Sequence, residues 1–164
     1  MRSYTLEMAA EWITTRIASN SALLSIPTVE ERKLALFSQA RPIPHEAIRS
    51  SSGQYIGCVS LTPPGGEDII ELGYYLHPDY HGKGIMVPAA KAVLKWAKEE
   101  FGIGKVFSTA DRMNPQSAAV IDRVSRETSI ADVQKGEMIL TWPVEKKVAG
   151  REVNSISTIW TWSI

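Results

Sequence analysis

Residues 69–101 read IIELGYYLHPDYHGKGIMVPAAKAVLKWAKEEF, and the fold turns on this stretch. It divides into a strand, a glycine loop and a helix. Ile69, Ile70, Leu72, Tyr74, Tyr75 and Leu76 are strand formers, and Pro78 closes the run. His81-Gly82-Lys83-Gly84 can turn tightly and bring bare backbone close to a ligand. From Ile85 onward Met86, Ala90, Val93, Ala97 and Phe101 recur at helical spacing, while Lys91, Lys95, Lys98 and Glu99 take the other side. A helix that starts on glycines turns its first N–H groups, which lack partners inside the helix, into the loop. That is a ready site for a pyrophosphate. Pro88 suits the first turn, where an N–H has no intrahelical partner to lose. The same residues also fit a tight turn with no ligand. They do not fit two other phosphate loops. No Gly-Lys-Ser/Thr follows four spacer residues, and Val87 stands at the third glycine position of a dinucleotide loop.

The wording of the loop is more specific. Tyr80-His81-Gly82-Lys83-Gly84-Ile85, after Leu76-His77-Pro78, resembles the acyl-CoA pyrophosphate loop of the GNAT N-acetyltransferase superfamily, usually Gln/Arg-x-x-Gly-x-Gly/Ala. His81 replaces Gln/Arg, and Met86 sits where a small residue is usual. Downstream, Asn114-Pro115-Gln116-Ser117-Ala118-Ala119-Val120-Ile121 resembles the Asn-x-x-Ser-x-x-apolar opening of the family's next helix. Two motifs in this order and spacing say more than either alone. The resemblance runs from about residue 43 to the C-terminus and is closest to the branch that acetylates N-terminal amines of ribosomal proteins. It implies an α/β (α+β) fold, with a mixed, mostly antiparallel sheet of about six strands and helices on both faces.

Composition narrows the classes. One domain is expected for 164 residues, enough to bury about 70% of the unfolded surface. Eighteen acidic and eighteen basic residues cancel, which argues against binding nucleic acid by phosphate neutralisation. Cys58 is the single cysteine, so no internal disulfide can form and a reducing, cytoplasmic setting is expected. Cys58 lies in an apolar strand and reads as a small core hydrophobe. No run approaches a membrane span and no signal-peptide pattern opens the chain. His45, His77 and His81 lack the spacing of zinc ligands, so no metal is expected.

Around the central stretch, residues 5–19 read as a helix with Leu6, Ala10, Ile13 and Ile17 in one stripe. A second helix follows Pro27. Thr28-Val29-Glu30-Glu31 has capping-box spacing, with Leu34, Ala35 and Phe37 expected inside. GNAT relatives place a strand before these helices, but here that strand is missing or reduced to a stub at residues 1–4. An uncovered sheet edge invites pairing with another chain, so a homodimer is a candidate assembly. Residues 45–49 and 54–62 read as strands, and residues 105–110 as a short one after a helix stop at 102–104. Asn114 caps a helix over 115–124. Residues 138–144 and 154–164 are expected to close the sheet as a hairpin, with Ile156, Thr158, Trp160, Trp162 and Ile164 on one face and both tryptophans in the core.

The resemblance also implies a chemistry, with acetyl-CoA as co-substrate and an amine acceptor. The pantetheine arm is expected along the backbone of Tyr75, Leu76 and His77. The pyrophosphate is expected on the N–H groups of His81, Gly82, Lys83, Gly84, Ile85 and Met86, with Met86 adding bulk and Lys83 a charge. Amine attack on a thioester needs a neutral amine, support for the oxyanion, and a proton for the leaving thiolate. An α-amine titrates at about 7.7–8.0 and meets the first need more easily than a lysine. Glu71 is the first candidate base, ahead of Glu137 and Glu145, and a backbone N–H near Leu76 is the oxyanion donor. Many relatives carry a tyrosine as general acid at the position of Ile121, which has no proton to give. Ser117 takes that role in the reading, and Asn114 contacts the pantetheine arm. Helix capping is the alternative for both. Arg123-Val124-Ser125-Arg126 replaces the family's Lys-Leu-Gly-Phe, so the acceptor is not carried over. The competing functions are a silent acyl-CoA-binding module on the same fold and, outside the family, a phosphate-binding α/β domain for another nucleotide.

Overall fold

The computed structural model describes residues 28–39, 47–64, 69–141 and 154–164. The helix expected over residues 5–19, the strand stub at 1–4, His45 and Glu145 lie outside them. The described helices are α1 (Val29–Gln39), α2 (Met86–Phe101) and α3 (Pro115–Thr128). The strands are β1 (Ala47–Arg49), β2 (Tyr55–Thr62), β3 (Ile70–Leu76), β4 (Lys105–Asp111), β5 (Gln134–Thr141) and β6 (Asn154–Ser163). They form one six-stranded sheet in the order β1-β2-β3-β4-β6-β5. Only the β3–β4 pair is parallel, as a strand–helix–strand crossover requires.

Local chemistry explains the helix ends. Thr28 Oγ1 accepts from the Glu31 N–H at 3.2 Å, which is one half of the expected capping box, and donates to Glu31 Oε2 at 2.7 Å, so that the carboxylate meets the Thr28 hydroxyl in place of its backbone N–H. Leu34, expected inside, is 68% exposed; the side chains of Ala35 and Phe37 lie outside the described set. The α2 helix stops at Gly102, whose φ of 60° lets its N–H return to Ala97 O and Lys98 O. No glycine follows α3 to do the same. Arg123-Val124-Ser125-Arg126 continues as helix to Thr128, four residues beyond the expected end.

One face of the sheet carries the core. Val59, Leu61, Ile70, Leu72, Val106, Ala110, Trp160 and Trp162 pack there against Ala90, Val93, Leu94, Ala97 and Phe101 of α2 and Ile121 and Val124 of α3. Both tryptophans are buried as expected, and each indole N–H reaches α3: Trp160 Nε1 donates to Asp122 Oδ1 at 2.8 Å and Trp162 Nε1 to Thr128 Oγ1 at 3.0 Å. Ile156, expected on the same face, is 40% exposed near the far end of the strand. Lys91 of α2 and Arg123 of α3 both bind Glu127, at 2.6 and 2.8 Å, and hold its carboxyl down at about 2. The two helices beside the central strands are thereby tied together. The β5 strand begins at Gln134, four residues before the expected start, because β6 supplies partners from Gln134 onward.

Candidate active site

The sheet parts in the middle. The β3 and β4 strands pair only at Ile70–Val106 and Glu71–Phe107. Beyond that point β3 pairs with β2 as far as Leu76, and β4 with β6 as far as Asp111, so the two diverge. Ser108 marks the vertex: its buried Oγ donates to Leu72 O at 2.7 Å, where a main-chain donor from β4 would otherwise sit.

The ladder decides which backbone groups line this wedge. His77 N–H donates to Ile56 O across the β2–β3 pair. In an antiparallel ladder this alternation turns the main-chain groups of Glu71, Gly73, Tyr75 and His77 toward β2, and those of Leu72, Tyr74 and Leu76 toward the wedge. The expectation that Tyr75 and His77 offer backbone to a pantetheine arm is therefore corrected. The ladder groups of Tyr75 and the His77 N–H are committed to β2, the His77 carbonyl accepts from the Tyr80 N–H, and it is the backbone of Tyr74 and Leu76 that faces the wedge. The Leu76 oxygen is occupied by His81 Nε2 at 2.8 Å, which leaves the Leu76 N–H on the open edge.

The loop beyond β3 is shaped by its glycines. A short 3-10 turn, Pro78–Tyr80, uses the Tyr80 and His81 N–H groups on His77 O and Pro78 O. His81 thus contributes no free N–H, which corrects its expected role. Gly82 and Gly84 have φ of 73° and 70°, a region costly for residues with a Cβ. Open space surrounds both Cβ positions. Among the described residues the N–H groups of Gly82, Lys83 and Gly84 find no acceptor. The α2 N-terminus, with Ile85 at its cap, has neither a side-chain cap nor an acidic residue in its first turn. Unpaired N–H groups and an uncompensated positive helix end fit a diphosphate. Met86 is 6% exposed and points into the core, so its bulk turns away from the loop. Lys83 Nζ lies 4.9 Å from the Tyr80 ring centroid, an exposed cation–π contact within reach of the loop.

The chemical candidates fall on two sides of the sheet. Glu71 stands at the last paired position, half-buried on the face away from α2 and α3, where loss of water raises its carboxyl above the ordinary range. Tyr75, 45% exposed, shares that face. Ser117 is on the helix side, in the first turn of α3. Its N–H is capped by Asn114 Oδ1 at 3.1 Å, so Asn114 does cap, with its amide NH2 left over. Ile121 is fully buried and apolar, which removes that position from any acid role. Glu137 is exposed on β5. Nothing in the sequence singles out Tyr74, yet its hydroxyl lies 2.8 Å from both Ser117 O and Ser117 Oγ. A separate cleft, lined by Ile69, Lys105, Asp132, Gln134 and Trp162, has a volume of about 590 Å³. It lies at the opposite end of β3 and β4 from the loop and takes no part in this arrangement. No described helix is long and apolar enough to cross a membrane.

The comparisons agree with this geometry. An acetyltransferase (GNAT) domain model matches residues 1–125. That match includes the first 42 residues, where the motifs gave no resemblance. A spermidine N-acetyltransferase from Vibrio cholerae (an F149A mutant) is 15% identical over 71% of this chain and 63% of that one, with a TM-score of 0.50. A GNAT-family acetyltransferase from Bacillus anthracis is 18% identical over 76% and 67%, TM-score 0.53. A ribosomal-protein-S5-alanine acetyltransferase from Vibrio fischeri is 22% identical over 66% and 55%, TM-score 0.49. This chain therefore spans about two thirds or less of these chains, and at such identities the first two likenesses show the fold alone. No curated protein matches in sequence. With its split parallel pair, glycine loop and open helix end, and a domain model matched over three quarters of its length, the chain belongs to the GNAT acetyltransferase family.

Proposed function

We propose that this protein transfers an acetyl group from acetyl-CoA to a primary amine, a protein N-terminus or a small amine, by direct attack in a ternary complex in the cytoplasm. One observation carries the reading: β3 and β4 separate after Glu71–Phe107, beside a loop in which the Gly82, Lys83 and Gly84 N–H groups find no acceptor among the described residues and a helix end without a side-chain cap. The Gly82, Lys83 and Gly84 amides and the α2 N-terminus hold the diphosphate, and the Tyr74 and Leu76 edge pairs with the pantetheine arm. The Leu76 N–H supports the thioester oxygen as charge develops on it. Glu71 takes the amine proton, directly or through water. Its raised pKa brings it closer to neutral pH, where a base is most effective. Ser117 protonates the leaving thiolate.

The second reading is a silent acyl-CoA binder, favoured by the buried Ile121 at the usual acid position. Two measurements separate the cases. Acetyl-CoA at a hundred times its dissociation constant stabilises the fold by about 2.7 kcal/mol. For a domain of this size that raises the melting temperature by roughly 5–11 °C. A larger shift with ATP or NAD contradicts both readings. Release of free thiol with a panel of peptides and polyamines distinguishes the enzyme from the binder.

A further inference from the structure

Tyr74 and Ser117 join the two walls of the wedge. The phenol leaves β3 on the helix side, packs partly buried against the core, and reaches the first turn of the helix that follows β4. Three oxygens meet there: Tyr74 Oη, Ser117 Oγ and Ser117 O, with both contacts of the phenol at 2.8 Å. They share two protons, because a carbonyl only accepts. When the phenol donates to the carbonyl, the serine hydroxyl donates back to the phenol oxygen and has nothing left to give. When the phenol donates to Oγ, the serine proton is free to turn outward. Burial keeps the phenol protonated through the neutral range, against a smaller opposing effect of its bond to Ser117.

We propose that Tyr74 is a positioning residue for proton transfer to the leaving sulfur: by donating to Ser117 Oγ, it leaves the Ser117 proton free for the departing thiolate. This rests on the acetyltransferase reading and on Ser117 as the acid. The amine nitrogen forms the C–N bond, the C–S bond breaks, and sulfur keeps the bonding pair. Sulfur takes the Ser117 proton as Ser117 takes the Tyr74 proton. The proton lost by the amine passes to Glu71 or its water and on to solvent, from which the phenolate is refilled. A phenol is a weaker acid than a thiol, so the phenolate is short-lived. Tyr74 thus supplies through Ser117 what a tyrosine at position 121 would supply directly.

The test uses the full chain, acetyl-CoA, and the best amine from the thiol-release panel. Tyr74→Phe should lower kcat about a hundredfold, within the usual range for a lost proton donor, with KM for acetyl-CoA unchanged. Ser117→Ala should do the same, and the double variant should be no slower than either single one. In mixtures of light and heavy water, kcat of the natural protein should fall along a curve, as for two protons moving together, and that of Tyr74→Phe along a straight line. A Tyr74→Phe variant with unchanged kcat, or with a raised KM and additive loss, overturns the proposal. If Tyr74→Phe does not fold, the natural protein still decides, because a straight line for it is contrary to a two-proton step. Failure of the underlying reading looks different: the natural protein then releases no thiol with any amine.

Discussion

Ser108 Oγ and Leu72 O meet over 2.7 Å at the point where β3 and β4 separate. A side chain here finishes the last rung of a ladder that the main chain abandons. Ser108→Ala leaves a buried carbonyl without a donor, a loss of about 1–3 kcal/mol. The melting temperature should fall by roughly 2–12 °C. An unchanged melting curve would show that the rung contributes nothing.

Gly82 and Gly84 hold φ near 70° with no neighbour for a Cβ to clash with. An alanine at either position meets backbone strain of about 1–2 kcal/mol rather than collision. The loop relaxes by turning its amides away. Acetyl-CoA should then bind about tenfold more weakly to each variant by calorimetry, with the helix content unchanged in circular dichroism.

Glu71 gives a pH signature. Burial raises its folded carboxyl pKa above the unfolded value of 4.5. Between those two values the folded state holds more protons than the unfolded, so stability falls as pH rises through the window. Glu71→Gln should therefore melt higher than the natural protein at pH 7 to 8 and lose that advantage near pH 4. The same change should lower kcat at least a hundredfold and abolish its acid limb. A variant that is fully active yet more stable would make Glu71 a strained bystander.

Asp122 behaves oppositely. Partial burial pushes its carboxyl up, but hydrogen bonds from Lys135 and Trp160 together pull it below the ordinary range. Its contribution is full above the unfolded value and is lost as pH falls through the depressed folded one. Asp122→Ala removes the acceptor of the Trp160 indole and should cost about 1 kcal/mol at pH 7. Urea melts at pH 7 and pH 3 should show that cost shrinking in acid.

Much of this site can be read from residues 69–101. The glycines, the helical stripe and the proline near its start lie close in sequence, so local geometry alone sets the loop and the open helix end. Asn114 is legible for the same reason. The partners of β3 are not, because the rule that turns Tyr74 and Leu76 toward the wedge comes from register with β2, and register is a long-range fact. Tyr74 reads as one more strand former until a helix 43 residues away brings Ser117 to its hydroxyl. The early start of β5 is similar. Gln134-Lys135-Gly136-Glu137 has little strand propensity, and pairing with β6 overrides it.

Amide resonances of a ¹⁵N-labelled sample, followed while acetyl-CoA is added, test the central claim most directly. The account predicts that Gly82, Lys83 and Gly84 shift most, as their free N–H groups gain phosphate oxygens, with Tyr74 and Leu76 following along the wedge. Shifts confined to the cleft around Lys105 and Asp132, or none in the glycine loop at saturating acetyl-CoA, would contradict it.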